Sequence, residues 1–206
     1  MLIRQRQCVV VLLLVMTGVG MTIVSATARS TDCLPAAESQ MISPALDKVF
    51  AEPGFGYTIC YPADWTVTRS HGYAVVFGGK PETAHAFVTV SLDNRLSPRP
   101  GEPRHGAAAI ASQYVQEVKV RAATQQVESP LPFPYKKNGV FLEGTQVTAT
   151  FDGKVERLRQ WVVAVPRRSG TVVHIWIFSA SMADFDHALP VARAMLDSWL
   201  ISATDQ

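Results

Sequence analysis

The chain has little with which to build a reactive centre. Its 206 residues include only three cysteines and five histidines, and none stand at the spacing of a C-x-x-C redox pair, a zinc knuckle or a histidine metal pair. No G-x-S-x-G or comparable turn presents a serine for attack. Ser70 precedes His71 and Asp186 precedes His187, but neighbours along a strand point to opposite faces, so adjacency does not assemble a triad. There is no basic block either: 19 basic side chains stand against 17 acidic ones. That balance gives no electrostatic footprint for a nucleic acid, and this class of partner is set aside. Internal repeats and low-complexity tracts are also missing.

What is present begins at the N-terminus. Arg4 and Arg6 precede an apolar run from Cys8 to Val24, and Ser25-Ala26-Thr27-Ala28 supplies small residues for a peptidase. This is the order of a secretory signal. The run is interrupted by Thr17, Gly18, Gly20 and Thr22 and is short for a hydrocarbon layer of about 30 Å. Cleavage near Ala28 is therefore the expectation, with an uncleaved N-terminal anchor as the alternative. After cleavage the loss of Arg4 and Arg6 brings basic and acidic side chains level, and no stable membrane span remains. Cys8 also leaves, so Cys33 and Cys60 are the pair expected to bond in an oxidising compartment. Closing that loop contributes on the order of 3 kcal/mol. The other reading of Cys60, inside an apolar strand, is a small buried hydrophobe.

Residues 29–53 read as a polar tether and lead-in, with Met41 to Phe50 as a short helix confined by Pro44 and Pro53-Gly54. A single domain over 54–201 follows. Strands are expected at 57–61, 65–69, 74–77 and 86–92, as an antiparallel succession, from their branched and aromatic content and period-two alternation. Pro98 to Gly106 is an exposed loop. Ala107, Ile110, Ala111, Tyr114 and Val118 form one stripe of an amphipathic helix covering a sheet. Pro130, Pro132 and Pro134 break the chain again before a long hairpin, 140–151 and 154–165, turning at Asp152-Gly153. Arg167 to Gly170 makes a further turn, and 171–179 is a strand apolar on both faces, hence central. Phe185, Ala188, Leu189, Ala192, Met195, Leu196, Trp199 and Leu200 mark a closing helix, in which Pro190 predicts a late start or a kink. Ser181 and Asp184 have capping-box spacing.

The run Gly56-Tyr57-Thr58-Ile59-Cys60-Tyr61-Pro62-Ala63-Asp64-Trp65 resembles the G-x-x-I-x-Y-P-x-x-W opening of the PsbP-like superfamily, which includes bacterial DcrB-type proteins. The order of the later elements is similar too: a helix after the fourth strand, a three-stranded meander and a closing helix ending near Met195 to Trp199. The resemblance spans about residues 54–201. It implies an α+β fold, an antiparallel β-sheet flanked by helices on both faces in an α/β/α sandwich. It also implies an extracytoplasmic accessory, binding or assembly factor with no catalytic set to carry over. Fold alone does not fix function, which resides in sites.

Each candidate site has a plainer alternative. His71 and His85 flank the third strand, and with Glu82 or Asp93 they are the metal candidates; otherwise they are solvated loop histidines. His174, inside an apolar strand, is expected to be a core histidine satisfied by hydrogen bonding. Phe133 and Tyr135, in the proline-rich segment, are expected on an exposed binding surface. Arg157 and Arg159 share a face by alternation, as an anion or partner site or as the solvated face of an edge strand. Trp65, Trp161, Trp176 and Trp199 are read mostly as core. No cofactor and no catalytic residue is expected. The function implied is a secreted or periplasmic, non-catalytic accessory protein contacting another envelope protein. A small-ligand or metal-binding protein is the alternative, and a hydrolase, which needs a distant His and carboxylate gathered in a cleft, comes third.

Overall fold

A computed structural model describes residues 44–70, 73–96, 106–121 and 125–202. The expected signal segment 1–28, the first part of the expected tether, Cys33, His71 and most of the Pro98–Gly106 segment lie outside them. In chain order the elements are β1 (Lys48–Glu52), β2 (Tyr57–Tyr61), β3 (Thr66–Arg69), β4 (Val75–Gly78), β5 (Thr89–Leu96), α1 (Ala107–Arg121), β6 (Gln125–Val127), β7 (Leu131–Lys137), β8 (Val140–Asp152), β9 (Arg157–Pro166), β10 (Val172–Ser181), α2 (Phe185–Ser198) and β11 (Leu200–Ile201).

Residues 48–50, expected at the end of a helix, belong instead to a strand over 48–52. β1 pairs along its whole length with β2, from Lys48↔Tyr61 to Glu52↔Tyr57. The reversal between them is a single 3₁₀ turn at Pro53–Phe55, closed by Gly56 at φ 62° with its amide donating to Pro53 O. Phe50 thereby reaches the core and meets Phe77 edge to face at 5.5 Å. The folded unit accordingly begins before residue 54, and β1 belongs to it.

β2 does not continue into the β3–β4–β5 succession. It is the middle strand of a three-stranded sheet, β1-β2-β11. The turn at Pro62, where Trp65 N donates to Pro62 O at 3.1 Å, is a corner between two sheets. The second sheet has eight strands in the order β3-β4-β5-β10-β9-β8-β6, with β7 also paired to β8, and every paired strand runs antiparallel. β10 is central between β5 and β9, as its two apolar faces require.

Alternation sorts the side chains of β9 and β10 into two clusters. Val163, Val165, Trp176, Phe178 and Ala180 join Ile59, Trp65, Ala188, Met195 and Trp199 in the main core beneath α2 and the small sheet. Val162, Ala164, Val173 and Ile175 join Ala107, Ile110 and Ala111 of α1. Pro190 lies inside an unbroken α2. Its missing N–H costs only the bond to the carbonyl of Asp186, and Asp186 is exposed in the first turn. Ser181 Oγ accepts the Asp184 amide at 3.0 Å and donates to its carboxylate at 2.7 Å, one turn ahead of the helix.

Candidate functional site

β8 and β9 place Thr148 directly opposite Trp161, Thr150 opposite Arg159 and Gln146 opposite Val163. Phe185, Leu189 and Arg193 follow at four-residue steps on α2 and so share one stripe. Where this stripe passes over Gln146, Thr148, Arg159 and Trp161, an open groove of about 260 Å³ remains, closed at one side by Glu128, Ser129 and Leu131. The gap has a local origin. β6 and β7 pair with the same edge of β8 at different heights, β6 with 149–151 and β7 with 140–146, and the chain between them crosses the edge at Glu128 to Pro130.

The floor is fixed by hydrogen bonds. Trp161 Nε1 donates to Gln146 Oε1 at 3.0 Å, and Gln146 Nε2 donates to Pro132 O at 3.3 Å. The Trp161 ring meets Trp176 edge to face at 5.2 Å. Arg159 forms the wall: its guanidinium carbon stands 4.6 Å from the centroid of the Phe185 ring, a cation–π arrangement. Glu128 Oε1 and Asp186 Oδ1 each lie 3.7 Å from its terminal nitrogens, too far for hydrogen bonds. Arg193 is exposed on the helix above.

Of the residues expected to form a partner surface, only Arg159 is found in this groove. Arg159 lines the groove, and Arg157, two residues earlier on β9, is exposed. Phe133 and Tyr135 are a correction. Both lie on β7 rather than in a loop; Phe133 packs partly buried against the main core, and Tyr135 is 1 % exposed. Its hydroxyl donates to Trp199 O at 3.1 Å and accepts Ile201 N at 2.7 Å. Arg193, Trp161, Gln146 and Leu131 were not legible as a group. A signal existed in Arg193, a charged residue four positions after Leu189 on an otherwise apolar stripe.

His85 lies in the link before β5, 5.9 Å from the Trp65 ring and stacked at 6.4 Å on His187. Among the described residues no three His, Cys, Asp or Glu side chains gather as a metal set, and His71 lies outside them. Cys60 is buried on β2, while Cys33 is outside the described residues. His174 is 0 % exposed, with Nδ1 2.8 Å from Asn94 Oδ1, and Asn94 Nδ2 donates to Tyr73 O. It is a core histidine, as its position in an apolar strand requires. Burial, and secondarily the charge of Arg167, push its pKa down to about 4. Lys137 was not singled out by sequence. Its Nζ donates to Leu196 O at 2.5 Å and Asp197 O at 2.9 Å, where α2 ends, a cation placed at the negative pole of the helix. Burial lowers its pKa to about 8, against the opposing charge of Asp197.

The two sheets, their antiparallel order and the helices packed on them define an α+β fold, and its layout is PsbP-like. The particular likeness is to cyanobacterial PsbP (CyanoP) from Synechocystis sp. PCC 6803, with a TM-score of 0.53 and 12 % identity, over 82 % of this chain and 99 % of that one. The Saccharomyces cerevisiae Ran-binding protein Mog1p is similar at a TM-score of 0.50 and 9 % identity, over 75 % of this chain and 94 % of that one. No family model matches the chain, and no curated protein matches it in sequence. Among the described residues no helix is long and apolar enough to cross a membrane.

Proposed function

We propose that the chain is a non-catalytic accessory protein of the cell envelope, secreted or periplasmic, that binds another envelope protein through the face of Arg157 and Arg159. Its frame is a PsbP-like α/β/α sandwich, with α1 against one face of the large sheet and α2 with the small sheet against the other. The observation that carries the reading is Arg159. A guanidinium backed by an aromatic ring and facing a groove, with two carboxylates beyond hydrogen-bond length, is prepared for a further acceptor rather than consumed by its fold.

Compartment rests on the order of charges, apolar run and small residues in 1–28, with cleavage near Ala28 and a tether leading to the folded unit. A Cys33–Cys60 bond belongs to the same reading. The likeness to Mog1p, by name a Ran-binding protein, supports reading this kind of frame as one for protein recognition. The test is capture of envelope proteins by the purified mature chain and by its Arg157→Glu/Arg159→Glu variant. Loss of a specific envelope protein in the variant is expected; retention of every captured protein overturns the proposal.

A further inference from the structure

We infer that the groove between α2 and the β8–β9 ribbon is a receptor for an organic carboxylate with an apolar body. The inference rests on the reading of the Arg159 face as the binding face, and it specifies the chemistry bound there.

Two arginines line the groove against a single carboxylate, Glu128. Arg159 and Arg193 carry fixed positive charge, and Thr148 and Ser129 supply hydroxyls. The two carboxylates beside Arg159 are 55 % and 84 % exposed and 3.7 Å away, so they offset part of its charge without taking its N–H groups in hydrogen bonds. A carboxylate entering the groove meets the guanidinium with its N–H groups available for a paired, charge-assisted contact, which is the geometry arginine favours. The Phe185 ring behind Arg159 restrains the plane of the guanidinium before anything binds.

The remainder of the surface is apolar. The indole N–H of Trp161 is already spent on Gln146, so the part of the ring that faces the groove offers only carbon. Leu131, 57 % exposed at the rim, and Leu189 complete that surface. This asks for a hydrocarbon or ring attached to the acid. The volume of about 260 Å³ falls just below the range of about 300–1,000 Å³ typical of sites for drug-sized ligands, which limits the body to roughly one aromatic or branched side chain. Glu128, on the same rim, opposes a second negative charge, so a monoanion is favoured over a phosphate dianion. Two sources have this chemistry: a small free acid, and the C-terminal carboxylate of a polypeptide that ends in an apolar residue.

Trp161 provides the readout, because Trp65, Trp176 and Trp199 are buried and a ligand in the groove touches only the fourth indole. The mature chain, ¹⁵N-labelled, is titrated with 3-phenylpropionate, 3-phenylpropanamide, phenyl phosphate, and acetyl-Gly-Gly-Phe as free acid and as amide. A saturable shift of the Trp161 indole resonance with the acids is expected, with each amide binding at least tenfold more weakly and phenyl phosphate no tighter than phenylpropionate. Arg193→Gln and Arg159→Gln should each weaken the acids about tenfold while the other three indole resonances stay in place. Arg193 is exposed, so its variant separates binding from folding. Tighter binding of the peptide acid assigns a polypeptide C-terminus; tighter binding of the free acid assigns a small metabolite. No saturable shift, amides equal to acids, phenyl phosphate preferred, or Arg193→Gln without effect overturns the inference. Should all acids fail while envelope-protein capture still depends on Arg157 and Arg159, the docking proposal stands and this inference falls.

Discussion

The hydroxyl of Tyr135 both donates to the carbonyl of Trp199 and accepts the amide of Ile201, so one side chain of β7 holds the passage from α2 into β11. Removing that oxygen leaves a buried amide without its acceptor, which costs about 1–3 kcal/mol. Tyr135→Phe should therefore lower the unfolding free energy by that amount, seen as a lower urea midpoint at unchanged slope. Lys137 Nζ, 3.3 Å from Trp199 O, can serve that carbonyl but, as a donor, not the Ile201 amide, so a midpoint within error of the parent would contradict the account.

His174 predicts the acid limb of stability. Its pKa is about 4 in the folded chain against about 6.5 unfolded. The unfolded state therefore binds more protons in this interval, and stability is complete above pH 6.5 and is lost as pH falls through 4. The contribution is on the order of 3 kcal/mol. His174→Phe should flatten the dependence between pH 6.5 and 4 whatever its effect at pH 7. An unchanged slope in denaturation series at several pH values contradicts it.

The alkaline limb has the opposite sign. Burial raises Tyr57 to about 12, so the folded state holds its proton longer than the unfolded state does, and stability declines from about pH 10 towards 12. Absorbance at the phenolate band, followed with circular dichroism, should show Tyr57 ionising together with unfolding rather than before it.

Two glycines of the β7–β8 ribbon should respond differently. Asn138 at φ 48° and Gly139 at φ 74° form the two-residue turn that suits the twist of a hairpin, and a Cβ on Gly139 meets nothing within 4 Å. Gly139→Ala should cost only the backbone penalty, about 1 kcal/mol. A Cβ on Gly144 falls 2.7 Å from Ala164 O and 2.9 Å from Phe133 O, both backbone atoms fixed in the sheet. Gly144→Ala should be clearly the more destabilising in thermal melts; equal losses would mean that the strands shift to make room.

Most elements were legible because period-two and helical stripes survive in the sequence. β2, β4, β8, β9, β10 and both helices stand close to where the pattern puts them. β7 was hidden by its prolines, read as breakers. The turn at Asn138-Gly139 closes on the Lys137–Val140 pair, so residues 131, 133 and 135 bond to β8, while Pro132 and Pro134 direct their N–H-less nitrogens to the open edge, where proline is tolerated. The same register buries Tyr135, which the loop reading had exposed. Asp152-Gly153 showed the opposite error. Asp152 pairs with Arg157 across a longer connection in which Gly153 N donates to Glu156 O at 2.8 Å, so the strongest turn dipeptide is not the tight turn. Of the candidate site, Arg157 and Arg159 were readable from alternation. Trp161 and Arg193 were not, because their proximity depends on where α2 crosses the sheet.

Oxidation state is open to direct measurement. The mature chain isolated from its own compartment should have the intact mass of a disulfide between Cys33 and Cys60, and its reduction should lower stability by on the order of 3 kcal/mol. Two alkylatable thiols in protein isolated without reductant would contradict the pairing.

The central claim, that the arginine-lined groove is the binding face, is tested most directly by photo-cross-linking in the native host. A photoreactive phenylalanine analogue at Leu131, on the groove rim, is compared with one at Val120, 85 % exposed on α1. The account predicts one defined cross-link to an envelope protein from Leu131, abolished by Arg157→Glu/Arg159→Glu and absent from Val120. The same product from Val120, or its persistence in the charge-reversed variant, would contradict it.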